Sequence, residues 1–358
     1  MRTENLFIAG LGTWVPGFEP VAEAVRQGRY DAERARAEGW TGVAFAGDVS
    51  APELAAGAGV EALKRSGLDA DRISLVLHAG TFHQGPDGWY AANYVQDKVV
   101  GTAVPAIGLD QGCTAMLDAL HLAHGHLAVG PGGGAVLVTA ADNFGAPLVD
   151  RWKYADGWTA GRGSVLGDAG CAAVVSTEGG PLRIRSLALS SLSRWEHLYR
   201  GEDPVFPPRP GLTVETSLGR RMSAHADRLD RDGGHDAEGG SRRAVAGDLV
   251  RARTALARQA MEEAGIGPAD VTRVTHVFSG HPRYLETLLE PLGIDPGRGM
   301  LDLGRAHGHL GAGDQFLSLA HLVETGAVSP GDHVLMMGNG AGISLACSVI
   351  EVLEDPGW

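Results

Sequence analysis

Short apolar runs of strand character alternate along the chain with Ala-rich stretches of helical spacing. NLFIAGLG (5–12) reads as a strand, APELAAGAGVEALKRSG (51–67) as a helix, ISLVLHAG (73–80) as a strand, Trp89 to Lys98 as a helix, and PAIGLD (105–110) as a strand. GAVLVTAADN (134–143) and CAAVVST (171–177) close the first part, and Gly179-Gly180-Pro181 marks a break, giving halves 1–178 and 179–358. Such alternation predicts an α/β protein. The polar, Gly-rich stretch Ser223 to Asp248 reads as an exposed insertion in the second half.

Two internal echoes sharpen this picture. EALKRSGLDADRISLVLHAG (61–80) is similar to QAMEEAGIGPADVTRVTHVFSG (259–280), each a helix, a Gly cap at Gly67 or Gly265, an Ala-Asp pair and a strand. LHLAHGHLAVGPGGGAVLVTAADN (120–143) is similar to LSLAHLVETGAVSPGDHVLMMGNG (317–340), so that Leu122-Ala123-His124 matches Leu319-Ala320-His321. Both echoes keep the same order, which predicts a duplicated α/β unit packed about a pseudo-twofold axis. Cys113 lies ten positions before Ala123, and Leu310, next to His309, lies ten before Ala320. The duplication therefore predicts that Cys113 and His309 sit at equivalent helix starts facing each other.

Composition narrows the function. With 358 residues, 44% hydrophobic and 20% charged, the chain can bury a large core, and disorder is excluded as its main state. A net charge of −13 argues against a general nucleic-acid binder, because phosphate affinity is driven by clustered cations. The opening MRTENLFIAGLGTWVPG lacks a leader pattern, and no run approaches the ~20 apolar residues a bilayer span needs, so a cytoplasmic protein without a membrane partner is expected. Three cysteines, Cys113, Cys171 and Cys347, are far apart with no C-x-x-C pair, which predicts neither a disulfide framework nor a zinc site.

Cys113 is the residue with chemistry to offer. In IGLDQGCTAMLDALHLAHGHL an extended run meets a Gln-Gly turn and then an apolar helix, which puts the thiol at a helix N-terminus. There the dipole and free N–H groups favour thiolate and can stabilise an oxyanion. Cys171 and Cys347, within Ala/Val/Ser strand text, read as small buried residues. MGNGAGIS (337–344) is a Gly-rich turn between strands that lacks the Lys-Ser/Thr and following helix of a phosphate loop.

YAANYVQDKVVGTAVPAIGLDQGCTAML, SVLGDAGCAAVVS, HGHLGAGDQ and SPGDHVLMMGNGAGISLA resemble, in order and over nearly the whole chain, the motifs of the ketoacyl-ACP synthase III group of the thiolase fold. The resemblance implies a thiolase-like duplicated unit in five layers, α-β-α-β-α, with the nucleophile in 1–178 and the histidines in 179–358. It implies that Cys113 carries an acyl group and that the N–H groups of Cys113 and Ala341 form the oxyanion hole.

Two departures from the family are visible. Where the family has His-Gln-Ala-Asn, this chain reads VFSGHPRYLETLLEPLG, with Phe278 at the His position when counted without gaps. A shift of a few residues makes His281 the base, with His276 as runner-up, against the plainer reading that His281 caps the helix opening at Pro282. His309 stands where the family has Asn; an imidazole can accept a proton there, whereas an amide only orients and donates. His307 reads as a turn residue.

The expectation is an acyltransferase of the natural-product branch. It would take an acyl group from an acyl carrier protein or CoA thioester onto Cys113 and pass it, with His281 or His309 as base, to a hydroxyl or amine of a small molecule. Decarboxylative condensation with malonyl-carrier protein is the alternative, and a non-catalytic partner subunit a third reading. No cofactor or metal is expected. The resemblance further implies carrier docking at Arg283 and a homodimer paired through the strand Thr102 to Asp110; Arg242 and Arg243, in the polar insertion, read first as solvated surface and second as further docking cations.

Overall fold

Both halves of the chain fold with one strand order, as seen in a computed structural model that describes residues 1–130, 134–145, 149–152, 165–200, 203–207 and 242–358. The first half supplies β1 (Phe7–Trp14), the small antiparallel pair β2 (Phe18–Pro20) and β3 (Gly42–Ala44), β4 (Ile73–Ala79), β5 (Ala106–Leu109), β6 (Ala135–Asp142) and β7 (Ala169–Ser176). The second half supplies β8 (Leu182–Ser191), β9 (Val271–His276), β10 (His333–Gly340) and β11 (Ser344–Val352). Nine of them form one sheet in the order β5-β4-β6-β7-β1-β8-β11-β10-β9, while β2 and β3 pair apart from it.

The duplication is explicit in the pairing. β4 runs parallel to β6, β6 antiparallel to β7, and β7 antiparallel to β1; β9, β10, β11 and β8 repeat this pattern. A short β1/β8 pairing, Phe7↔Arg183 and Ile8↔Leu182, joins the halves. β5 is the extra edge strand of the first half, with Ile107 exposed.

Helices complete the layers. The Ala51–Ser66 helix opens with the Glu53 carboxylate accepting from Ser50 N at 2.9 Å, closes at Gly67 with φ 66°, and packs on β1, β6 and β7. The Arg242–Ala264 helix covers β8, β10 and β11 at the other end, joined in one apolar cluster by the Pro282–Leu289 helix. Between the two sheet halves lie the Ala115–Val129 and Asp314–Glu324 helices: the first touches β4 and β6 on one side and β8 and β11 on the other. This is the α-β-α-β-α layering. Leu120 and Leu319 are fully buried in the middle layer, where truncation to Ala typically costs ~2–5 kcal/mol. β6 and β7 are buried at every position, which is why their text is continuously apolar rather than alternating.

Three local expectations change. The helix expected from Trp89 to Lys98 is an α-helix over Ala91–Val95 that widens into a π-turn at Gln96–Val100. Of the insertion 223–248, residues up to 241 lie outside the described residues, while 242–248 form the first turns of the long helix, so this part is helical text and not loop. His307 closes the Leu301–His307 helix, its Nδ1 2.8 Å from the Leu303 carbonyl, rather than standing in the turn. Among the described residues, no helix is long and apolar enough to cross a membrane.

Candidate active site

Cys113 lies in a single 3-10 turn, Gly112–Thr114, that runs straight into the Ala115–Val129 helix. Gly112 has φ 59°, a conformation that favours glycine, and the turn lifts the chain from β5 to the helix start. Gln111 Nε2 donates to Ser344 Oγ at 2.9 Å and so ties the turn to the start of β11. Cys113 is half-buried, whereas Cys171 and Cys347 are buried; burial pushes the Cys347 thiol up to about 12 and the Cys171 thiol higher still.

The imidazole within hydrogen-bonding reach of this thiol, among the described residues, is that of His309. Its Nε2 lies 3.1 Å from Cys113 Sγ, across 196 positions of sequence. The ring's other nitrogen, Nδ1, lies 2.6 Å from Asp314 Oδ2, and both residues are buried. Asp314 also accepts from Leu310 N (Oδ1, 2.7 Å) and Phe278 N (Oδ2, 2.7 Å), so its carboxylate is fixed from three directions. Burial by itself would push His309 down; the charges of Asp314 and Cys113, with a hydrogen bond from each, outweigh it and hold the imidazole up to about 10. A proton accepted from the thiol is therefore well held. The chain Cys113–His309–Asp314 lines up a thiol, an imidazole and a carboxylate, the kinds of group that can serve as nucleophile, base and orienting partner in acyl transfer.

Backbone contacts fix His309 in turn. Its N–H donates to Val165 O at 2.7 Å and its carbonyl accepts from Gly167 N at 2.9 Å. A methyl group on Gly167 would overlap the His307 carbonyl oxygen, so a glycine is required at this approach. Asp168, next in the Gly-Asp-Ala-Gly run, accepts from Ala46 N and Phe144 N and pairs with Arg151 at 2.9 Å, which makes it a structural clamp.

The Gly-rich turn 340–343 packs on the nucleophile turn. A methyl group on Gly340 would lie 3.0 Å from Cys113 N and 3.2 Å from Thr114 N, and one on Gly112 would lie 3.6 Å from Ala341 N. The nucleophile turn and the Gly-rich turn are therefore in close backbone contact.

His281 is not brought to the thiol. It is the N-cap of the Pro282–Leu289 helix, and its Nδ1 accepts from Arg283 N at 3.1 Å, so its nitrogen is spent on an orphan helix N–H. His276 is fully buried with both ring nitrogens engaged, Nδ1 donating to Val277 O at 2.8 Å and Nε2 accepting from Met300 N at 2.9 Å. Phe278 is fully buried, and its contribution to the site is the backbone N–H given to Asp314. Asp314 was not among the residues singled out from the sequence. The signal for it was a lone carboxylate five residues after His309, opening an otherwise apolar helix. Arg283 is exposed, and its guanidinium has no partner among the described residues. Arg242 and Arg243 lie in the first turn of their helix. No cluster of metal-ligating side chains occurs among the described residues.

Residues 261–352 match the family model described as 3-oxoacyl-[acyl-carrier-protein] synthase III C terminal. Over 99% of its length the chain is similar to all of the solved structure of ChlB3, described as an acyltransferase, at 35% identity and a TM-score of 0.89. A β-ketoacyl-[acyl-carrier-protein] synthase III of Streptomyces coelicolor is 29% identical over 344 residues, 94% of each chain. The solved structure of a 3-oxoacyl-[acyl-carrier-protein] synthase III from Aquifex aeolicus, at 20% identity, has the same fold with a TM-score of 0.74 over 97% of this chain and 99% of that one.

Proposed function

The chain belongs to the ketoacyl-ACP synthase III-like enzymes of the thiolase fold, and from that membership we propose that it is an acyltransferase working through an acyl-enzyme on Cys113. One observation carries this reading: the Cys113–His309–Asp314 chain, with Nε2 at 3.1 Å from the sulfur and Nδ1 at 2.6 Å from the carboxylate.

His309 Nε2 takes the Cys113 proton as the sulfur attacks the thioester carbonyl, and the N–H groups of Cys113 and Ala341 receive the oxyanion. Collapse expels the donor thiol, which leaves with the proton held by His309. A hydroxyl or amine of a small natural-product acceptor then attacks the acyl-enzyme, giving its proton to His309, and Cys113 leaves as the thiol. Asp314 holds the imidazole in the tautomer that can accept at Nε2 and stabilises the imidazolium. No cofactor enters this sequence, since the thioester supplies the leaving group.

Condensation would call for two donors on the enolate left by decarboxylation. Phe278, buried and apolar, offers no side-chain donor at the family's His position, and this favours acyl transfer. The donor is an acyl carrier protein or CoA thioester, and Arg283, exposed at the helix opening next to His281, is the docking cation for an acidic carrier. Edge strand β5, with Ile107 49% exposed, is the pairing surface of a homodimer, which a monomeric sedimentation value at micromolar concentration would refute.

Intact mass spectrometry after exposure to a panel of acyl thioesters tests the assignment. Wild type should gain one acyl group and Cys113→Ala none, with unchanged circular dichroism. Equal loading of the two proteins would remove Cys113 as nucleophile.

A further inference from the structure

Asp142 ends β6 against the turn that follows His309, and the reaction above does not use it. The residue is 3% exposed. Thr81 donates to it twice, from its N–H to Oδ1 at 2.9 Å and from its hydroxyl to Oδ2 at 2.8 Å. Against this pair lies the turn that follows His309: a methyl group on Gly311 would overlap both Asp142 Oδ2 and Thr81 Oγ1. One carboxyl group thus touches both the loop after β4 and the turn that carries the base.

On β4, His78 is neutral, pushed down to about 4 by burial, with its ring bonded to Thr139 and Gln84. On β7, burial holds Cys171 as the thiol, and Asp168 just before that strand is paired with Arg151. His83, in the loop, points to the surface, where its ring meets the Pro86 carbonyl at 3.4 Å. The His309 imidazole, two positions before Gly311, is engaged with Asp314 and Cys113. Burial pushes Asp142 up to about 7, with the Thr81 hydrogen bonds, the Phe82 N–H and the His309 charge pulling the other way.

We propose that Asp142 is a positioning residue of the transfer site, clamping the loop after β4 to the His309 turn and, when ionised, favouring the imidazolium–thiolate state of the His309–Cys113 pair. This rests on the reading of Cys113 as the reacting thiol. Coupling between two titrating sites is reciprocal, so a charge on Asp142 that favours the imidazolium is itself favoured by it. Thiolate formation at Cys113 should therefore rise with pH as Asp142 ionises.

Alkylation of Cys113 by iodoacetamide, followed by peptide mass between pH 5.5 and 8.5, reads thiolate without any acyl donor. Failure of the acyltransferase reading would leave this measurement intact. Asp142→Asn keeps the clamp, because a carboxamide accepts from the Thr81 N–H and donates to its hydroxyl, but it cannot ionise. At pH 8 the variant should react about three- to tenfold more slowly than wild type, and the two rates should converge below pH 6. A rate ratio constant across the range, including a ratio of one, overturns the proposal. Should Asp142→Asn fail to fold, Thr81→Val serves: it removes one donor to the ionised carboxylate and should move the wild-type inflection to higher pH, and an unmoved profile overturns the proposal equally.

Discussion

At the scale of single residues, the base is defined by what each histidine nitrogen already does. His276 has both ring nitrogens, and His281 its Nδ1, engaged with backbone groups, whereas His309 offers Nε2 to Cys113 while Asp314 holds Nδ1. Asp314→Asn tests this directly. An amide cannot keep all three hydrogen bonds that Asp314 accepts, nor supply the negative charge that holds His309 up. Single-turnover loading of Cys113 should fall by about 10²–10⁴-fold; loading within about threefold of wild type would remove Asp314 from the mechanism. Cys113 and His309 were both legible in the sequence, the first from its strand–turn–helix setting and the second from the internal repeat. Asp314 was not, because nothing in a linear text distinguishes a carboxylate that caps a helix from one that holds an imidazole. His281 misled for a related reason: it follows the right strand, but a Pro at the next position opens a helix, and capping that helix uses its Nδ1.

Among the elements, the repeat was the most informative text in the chain, since two echoes in one order required equal strand orders, and the pairing shows them. Less legible was the contact between elements that carry no echo. The Gly-Asp-Ala-Gly run holds the His309 turn through Gly167 N–H, a close approach that only a structure reveals. Gly167→Ala would drive a methyl group into the His307 carbonyl and push the turn away from Cys113. The expected cost is about 1–3 kcal/mol in chemical denaturation, accompanied by slower loading. If stability falls while loading keeps its wild-type rate, the Gly167 contact supports the fold without aiming the base.

For the whole molecule, the five layers put the Cys113 thiol from the first half against the His309 imidazole from the second, and the pair meets just before the starts of the two middle helices. A protein of net charge −13 repels an acidic carrier at long range, so encounter depends on local cations. Arg283→Glu should raise the apparent KM for a carrier-bound donor several-fold and leave a small N-acetylcysteamine thioester nearly unaffected. Equal losses with both donors would place Arg283 at the catalytic turn instead. The central claim is that an acyl group on Cys113 is passed to a hydroxyl or amine. Its most direct test is a chase: isolate the loaded enzyme, divide it between a panel of hydroxyl and amine acceptors and malonyl thioester, and follow both enzyme mass and products. The acyl mass should be lost in step with a new ester or amide, with no release of carbon dioxide from the malonyl sample. Fast decarboxylation with a carbon–carbon product, and no acceptor ever acylated, would contradict it.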